Sequence, residues 1–270
     1  MKKSFLAVLC LAPVAFSTPD TGPAPHEAVL TGVRALRRND LRAFLESTMT
    51  EGQVRALRDQ WNAMREEEPD AAEAAQFEAA MKKLTAAGAE DALMAELAPK
   101  LAEMRPQVDM LIGMFQGMGQ SVLAQDQTMS DAEKQRAAVI LGAMGKTLSE
   151  NDITSEQSAR KTVEILCRTA RKLRLGTLEE AQELSFDELL ARGNTGVGGL
   201  KQIMGVYGLP VDTWLDSVRA ETVTESRDQA IVRISYEVLG VRESMDAEMV
   251  RIDGRWLRKE AVELEIPATR

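Results

Sequence analysis

Side chains able to do chemistry are few in this chain, and their spacing keeps them apart. His26 is the one histidine, beside a Pro-rich stretch, and the two cysteines are Cys10 and Cys167. A Ser/His/Asp or Cys/His nucleophilic centre needs an imidazole held by a third group in a formed pocket, and a histidine-based metal site needs more than one imidazole. His26 therefore reads as an exposed residue of a first helical turn. Cys167 falls on the stripe Val163, Leu166, Cys167, Ala170 and Leu173, one face of a helix. That position marks a small buried apolar residue rather than a reactive thiol. Arg168, Arg171, Lys172 and Arg174 form the solvated face of the same helix.

Carboxylates are plentiful but patterned as solvent faces. Glu66-Glu67-Glu68 ends one helical run just before Pro69, and Glu179-Glu180 lies in a first turn, where acidic groups complement the helix dipole. A glycosidase-type acid/base pair would have to be assembled from distant segments. For a small hydrolase or isomerase with carboxylate or tyrosine chemistry, Tyr236 and Asp246 are the first residues to test. No residue is assigned a catalytic, cofactor-binding or metal-ligating role, and no cofactor is implied. Gly193 to Lys201, "GNTGVGGLK", lacks the Gly-Lys-Ser/Thr ending and the preceding strand of a phosphate loop. It is read as a helix stop followed by a Gly-rich helix start.

Met110, Met114 and Met118 recur every fourth residue, beside Phe115 and interleaved with Gly113 and Gly117. Thioethers on one helix face are soft enough to bind Cu(I). The same spacing suits a helix packed closely on another through its glycines, with methionine filling irregular gaps. A third reading makes Met110, Met114, Phe115 and Met118 a face for an apolar ligand or a membrane contact. Of the functional readings, the apolar-ligand face is the sharpest.

The chain that must position these residues has 270 of them and a formal charge of −9. No run of five basic residues occurs, so a nucleic-acid partner is not expected. Lys2 and Lys3 precede an apolar run from Phe5 to Phe16 that is too short to span a bilayer, and Ala15-Phe16-Ser17 offers small residues for signal-peptidase cleavage. Residues 1–17 are thus expected to be a signal peptide cut near Ser17, giving a periplasmic or secreted protein with no stable membrane anchor. Cys10 follows Leu9 inside the apolar run, unlike a lipid-attachment cysteine. "TPDTGPAP", residues 18–25, reads as a flexible leader.

Residues 26–215 carry helix punctuation. Thr50-Glu51-Gly52-Gln53, Ser130 to Glu133 and Ser185 to Glu188 are capping boxes, Asp70 and Thr154 are further caps, and Gly88 and Gly176 are helix stops. Pro99 is expected to kink or split its helix. Gly193 is expected to end one helix before another runs from about Thr195 to Tyr207.

From residue 216 to 265 the apolar period falls from 3.6 to 2. Four strands are expected: Ser217 to Glu225, Gln229 to Leu239, Arg242 to Ile252 and Arg255 to Val262. Asp253-Gly254 predicts a type I′ turn, which fixes the register and sets Ile252 opposite Arg255, Arg251 opposite Trp256, and Glu248 opposite Lys259. A small sheet with one apolar face must bury it. The expectation is an α+β chain: a mainly helical body with a C-terminal antiparallel meander packed on the helices.

The stretch "AIVRISYEV … AEMVRIDGRWLRKE" resembles the final strands of exported nuclear-transport-factor-like and cystatin-like domains, where Asp-Gly-Arg-Trp turns into the last strand. The resemblance covers roughly the last fifty residues and implies a helix feeding a sheet. As a whole the chain is similar to uncharacterised exported proteins of Gram-negative bacteria. The long helical segment from Thr50 to Gly176 departs from a minimal domain of that kind. The functional expectation is a non-enzymatic binding or structural protein of the envelope, its partner an unidentified protein or a small apolar ligand; the alternative is a carrier or sensor of an apolar, lipid-like molecule that uses the Met/Gly helix and the concave side of the sheet, and the second alternative is the small hydrolase or isomerase.

Overall fold

The structure is a computed structural model that describes residues 22–127 and 129–264. The expected signal peptide, residues 1–17, and residues 18–21 of the expected leader lie outside the described residues. α1 (Pro25–Arg37) starts with proline, whose missing N–H costs nothing at a first helical position. α2 (Leu41–Thr48) begins where the Asp40 side chain accepts from the Ala43 N–H. α3 (Glu51–Met64) opens on the reciprocal Thr50/Gln53 capping box, and α4 (Ala71–Thr85) on Asp70. α5 (Ala89–Met104) passes through a 3-10 turn at Arg105–Gln107 into α6 (Val108–Gln125). α7 (Asp131–Glu150) returns along α6 behind the Ser130/Glu133 box.

α8 (Glu156–Leu173) is capped by Ser155, α9 (Leu178–Gln182) by Thr177, and α10 (Phe186–Val206) by the Ser185/Glu188 box. After α11 (Val211–Ser217) come the four strands, β1 (Arg219–Glu225), β2 (Gln229–Val238), β3 (Val241–Ile252) and β4 (Arg255–Arg258), joined in sequence order into one antiparallel sheet. α12 (Lys259–Glu263) closes the described chain. The fold is therefore α+β, a helical body followed by a C-terminal meander.

Among the described residues, the buried apolar side chains include two packed clusters. In the first, Ala89 and Met94 of α5 pack on Ala159, Val163 and Cys167 of α8. In the second, Ala230, Val232, Met249 and Trp256 of the sheet pack on Ala28 and Val29 of α1. The sheet thus buries one face against the first helix. Its other face carries cross-strand ion pairs, Arg233 with Asp246 at 2.9 Å and Arg242 with Glu237 at 2.8 Å, as a half-solvated antiparallel sheet requires.

The hairpin forms as its turn dictates. Asp253 and Gly254 both have positive φ, 50° and 77°. Ile252 pairs with Arg255 and Arg251 with Trp256, whose ring centroid lies 5.5 Å from the Arg251 Cζ. Lys259 reaches Glu248 at 2.9 Å, although it belongs to α12 and not to a strand. The last strand is four residues long instead of running to Val262, because Gln53 Nε2 of α3 donates to the carbonyls of Ala261 and Leu264 and holds that segment in a helical turn. β4 consequently pairs only with Met249 to Ile252, and β3 from Val241 to Glu248 forms the sheet margin.

Several helix boundaries differ from expectation. α5 is continuous through Pro99, since Met94 before it and Leu101 after it both pack toward α8. Gly88 does not stop α4; with φ 72° it is the residue from which α5 starts. Ser155, not Thr154, caps α8, and Thr154 is buried with its hydroxyl on Asp152. α8 ends at Leu173 with Arg174 in the left-handed conformation, two residues before Gly176. Leu166 is exposed while Ile165 is buried, because α4, α5 and α10 all touch α8 and more than one of its sides is covered.

α10 runs unbroken where a stop at Gly193 was expected. The glycines serve close approach. A Cβ on Gly193 would lie 2.7 Å from Leu41, and one on Gly199 would lie 2.4 Å from the Thr169 hydroxyl. Asn194 adds a polar link, its Oδ1 accepting from the Leu41 N–H at 2.9 Å. The segment is a packing surface for α2 and α8 and makes no phosphate loop.

Candidate functional site

Between α1, α2 and the apolar face of the sheet lies a half-enclosed cavity of about 520 Å³. α1 supplies Val29, Gly32, Val33 and Leu36, the i, i+3, i+4, i+7 face of an amphipathic helix. Phe44 and Leu45 of α2 close one side. Ile234, Met245, Met249 and Trp256 form the floor, all on one face of the sheet because strand side chains alternate. Ala261 and Leu264 bound the remaining side, where Gln53 satisfies their carbonyls. The volume lies within the range of small-molecule sites.

The wall is dry. The Ser47 and Thr48 hydroxyls both turn back to the Phe44 carbonyl, at 2.9 and 2.8 Å, so neither is left seeking a partner. Among the described residues, Arg258 is the one charged residue on the wall. One terminal nitrogen of its guanidinium bonds Glu260, but its Nε is buried without an acceptor among the described residues. A buried donor with no acceptor carries a desolvation cost. The cavity can hold an elongated apolar group, with one cationic point at its edge.

The residues singled out in the sequence fall elsewhere. Met110, Met114, Phe115 and Met118 share the outer side of α6, each 56–64 % exposed, and none lines this cavity. The expectation that the α6 glycines pack against another helix holds for neither Gly113 nor Gly117, since an added Cβ would meet nothing within 4 Å at either. Gly119 makes the close contact instead, against Leu141 of α7.

His26 is half-buried, not exposed: its Nδ1 lies 3.0 Å from Thr222 Oγ1 and pins α1 to β1. Cys167 is fully buried, and burial pushes its thiol pKa up, so it stays a protonated core residue. Tyr236 and Asp246 are on opposite faces of the sheet, because Tyr236 shares a face with Ile234 and Asp246 pairs with Arg233 on the other. They do not build one site. Among the described residues no group of three or more His, Cys, Asp or Glu side chains is placed to hold a metal ion. Among the same residues no helix is long and apolar enough to cross a membrane.

The sequence reading pointed to the concave side of the sheet but to α6 as its helix, and it assigned no cavity residue to a ligand, although two signals were present. Val29, Val33 and Leu36 repeat at helical spacing just after the expected leader, and Trp256 is the second residue beyond the turn that set the strand register. Comparison of the chain with family models, curated proteins and solved structures finds no match.

Proposed function

We propose that this chain is an exported, non-enzymatic binding protein of the cell envelope that takes a lipid-like molecule into the cavity between α1, α2 and the sheet. The observation that carries the reading is the cavity: about 520 Å³, floored by Ile234, Met245, Met249 and Trp256, with its hydroxyls internally bonded. Apolar surface of this kind gains by removal from water, at about 25 cal/mol per Å². Arg258 at the wall favours an anionic head group over a neutral one. Export is supported by the charged start at Lys2 and Lys3, the apolar run from Phe5 to Phe16 and the small residues around Ser17. The resemblance of the last fifty residues to nuclear-transport-factor-like domains belongs to the same reading, since it implies a helix laid against an antiparallel sheet.

Native mass spectrometry of protein recovered from the envelope tests the proposal, together with displacement of an apolar fluorophore by hexadecanoate and by hexadecanol. The expected result is retained lipid-like mass and saturable displacement, tighter for the acid than for the alcohol. An empty spectrum with no saturable binding of either compound overturns the reading. Equal binding of both keeps the cavity as the site and removes Arg258 from recognition.

A further inference from the structure

The second apolar feature of the molecule is not concave. α6 touches α7 along one side, where Gln116 and Gly119 meet Gly142, Gly145 and Leu141. Its opposite side presents Met110, Met114, Phe115, Met118 and Val122, each 56–68 % exposed, to solvent. Between them Gly113 and Gly117 leave gaps in which a Cβ would meet nothing within 4 Å. Single exposed apolar residues are ordinary, whereas five on one helix face mark a contact surface.

We propose that this face is the seam of a homodimer, with α6 of a second copy lying antiparallel across it. Three observations select a second copy. The first is charge: from Met110 to Gln125 the helix carries no charged residue, in a chain of net charge −9. Two copies of a net-negative chain repel on average, and along this strip there is no charge to add to that repulsion. An anionic lipid surface would instead be held by Lys or Arg beside the apolar stripe, and α6 has neither.

The second is area. Five large side chains of roughly 150–250 Å² each, a little over half exposed, offer about 500 Å² per copy, or about 1,000 Å² for a pair. That sum reaches the lower bound for a specific interface, so the seam suits a reversible dimer. The third is self-complementarity. A twofold axis near the Gly113–Gly117 gap sets the methionines of one copy over the glycines of the other, and flexible thioethers fill such gaps well. The antiparallel arrangement also opposes the two helix dipoles and carries the two Asp109 carboxylates to opposite ends.

Sedimentation velocity on the full exported chain, from about 1 to about 100 µM, tests the proposal. The expected result is a concentration-dependent dimer that Met114→Glu and Gly117→Leu each weaken by about tenfold or more. Gly117→Leu raises helix propensity, and a Cβ there meets nothing within 4 Å among the described residues, so its melting temperature should not fall. Gly117→Cys should crosslink copy to copy under oxidation, because Cys167 is buried. A monomer throughout the range, or a dimer indifferent to both variants, overturns the proposal. Flotation of wild-type monomer, but not of Met114→Glu, with phosphatidylglycerol vesicles also overturns it and gives the face to lipid.

Discussion

The ammonium of Lys201 lies 2.8 Å from the Asp212 carboxylate, with only 10 % of the lysine side chain exposed. The same nitrogen donates to the Leu36 carbonyl, in the last turn of α1. One side chain of α10 thereby ties α1 to α11, the two helices that flank the start of the sheet. Lys201→Met should destabilise the protein by about 1.5 kcal/mol, the low end for a charged hydrogen bond, because Asp212 is part-exposed and keeps Arg37 at 3.2 Å. Urea unfolding at neutral pH measures it, and an unchanged midpoint would remove the clamp from the account.

Two glycines of α10 should respond in opposite directions. Gly199→Ala places a Cβ 2.4 Å from Thr169 Oγ1 and 3.1 Å from Thr169 Cβ, so the helices must part, at about 1–3 kcal/mol. Gly196→Ala meets nothing within 4 Å and should gain up to about 1 kcal/mol from helix propensity. Thermal unfolding of the two variants side by side decides the matter. Equal shifts would mean that α8 and α10 are not in close contact.

The Glu90 carboxylate accepts from Arg171 at 2.6 and 3.0 Å; that bond first, and a backbone hydrogen bond second, lower its pKa from 4.5 to about 2. A depressed folded-state pKa contributes stability that is present above 4.5 and is lost as the pH falls toward about 2. Arg171→Gln should return the Glu90 titration toward the ordinary carboxylate range, read by carboxyl-carbon NMR. The acid limb of the stability profile should become correspondingly shallower.

Filling the cavity separates binding from folding. Val33→Phe adds apolar volume where α1 faces open space, and should leave the melting temperature within a few degrees while displacement by hexadecanoate weakens at least about tenfold. Undiminished binding would place the ligand outside this cavity.

What was legible in the sequence was what depends on near neighbours. The Asp253-Gly254 turn set the pairing of Arg251 with Trp256, and the reciprocal caps at Thr50, Ser130 and Ser185 fixed three helix starts. Glycine was read less well, because one residue type serves two purposes. Gly193 looks like a terminator until Leu41, far away in sequence, is seen against it. The strand beyond Arg258 was overextended for a similar reason, since Gln53 of α3 holds that segment. The cavity walls could not be listed from the sequence because they come from residues far apart in it, 28–49 and 218–264. The Met110 face was recognised as special, but the spacing could not tell an inward side from an outward one.

The brevity of β4 has a bearing on how the molecule behaves in a crowd. With a strand partner for only Met249 to Ile252, the rest of β3 has no strand beside it on that edge among the described residues, although α7 comes against it; such a rim is the sort of border onto which stray chains can stitch themselves. Arg242, Glu243, Asp246 and Glu248 stud that rim with charge. Fibre-like stacking would have to bring these groups into register, so the border discourages the accidental templating that its shape invites.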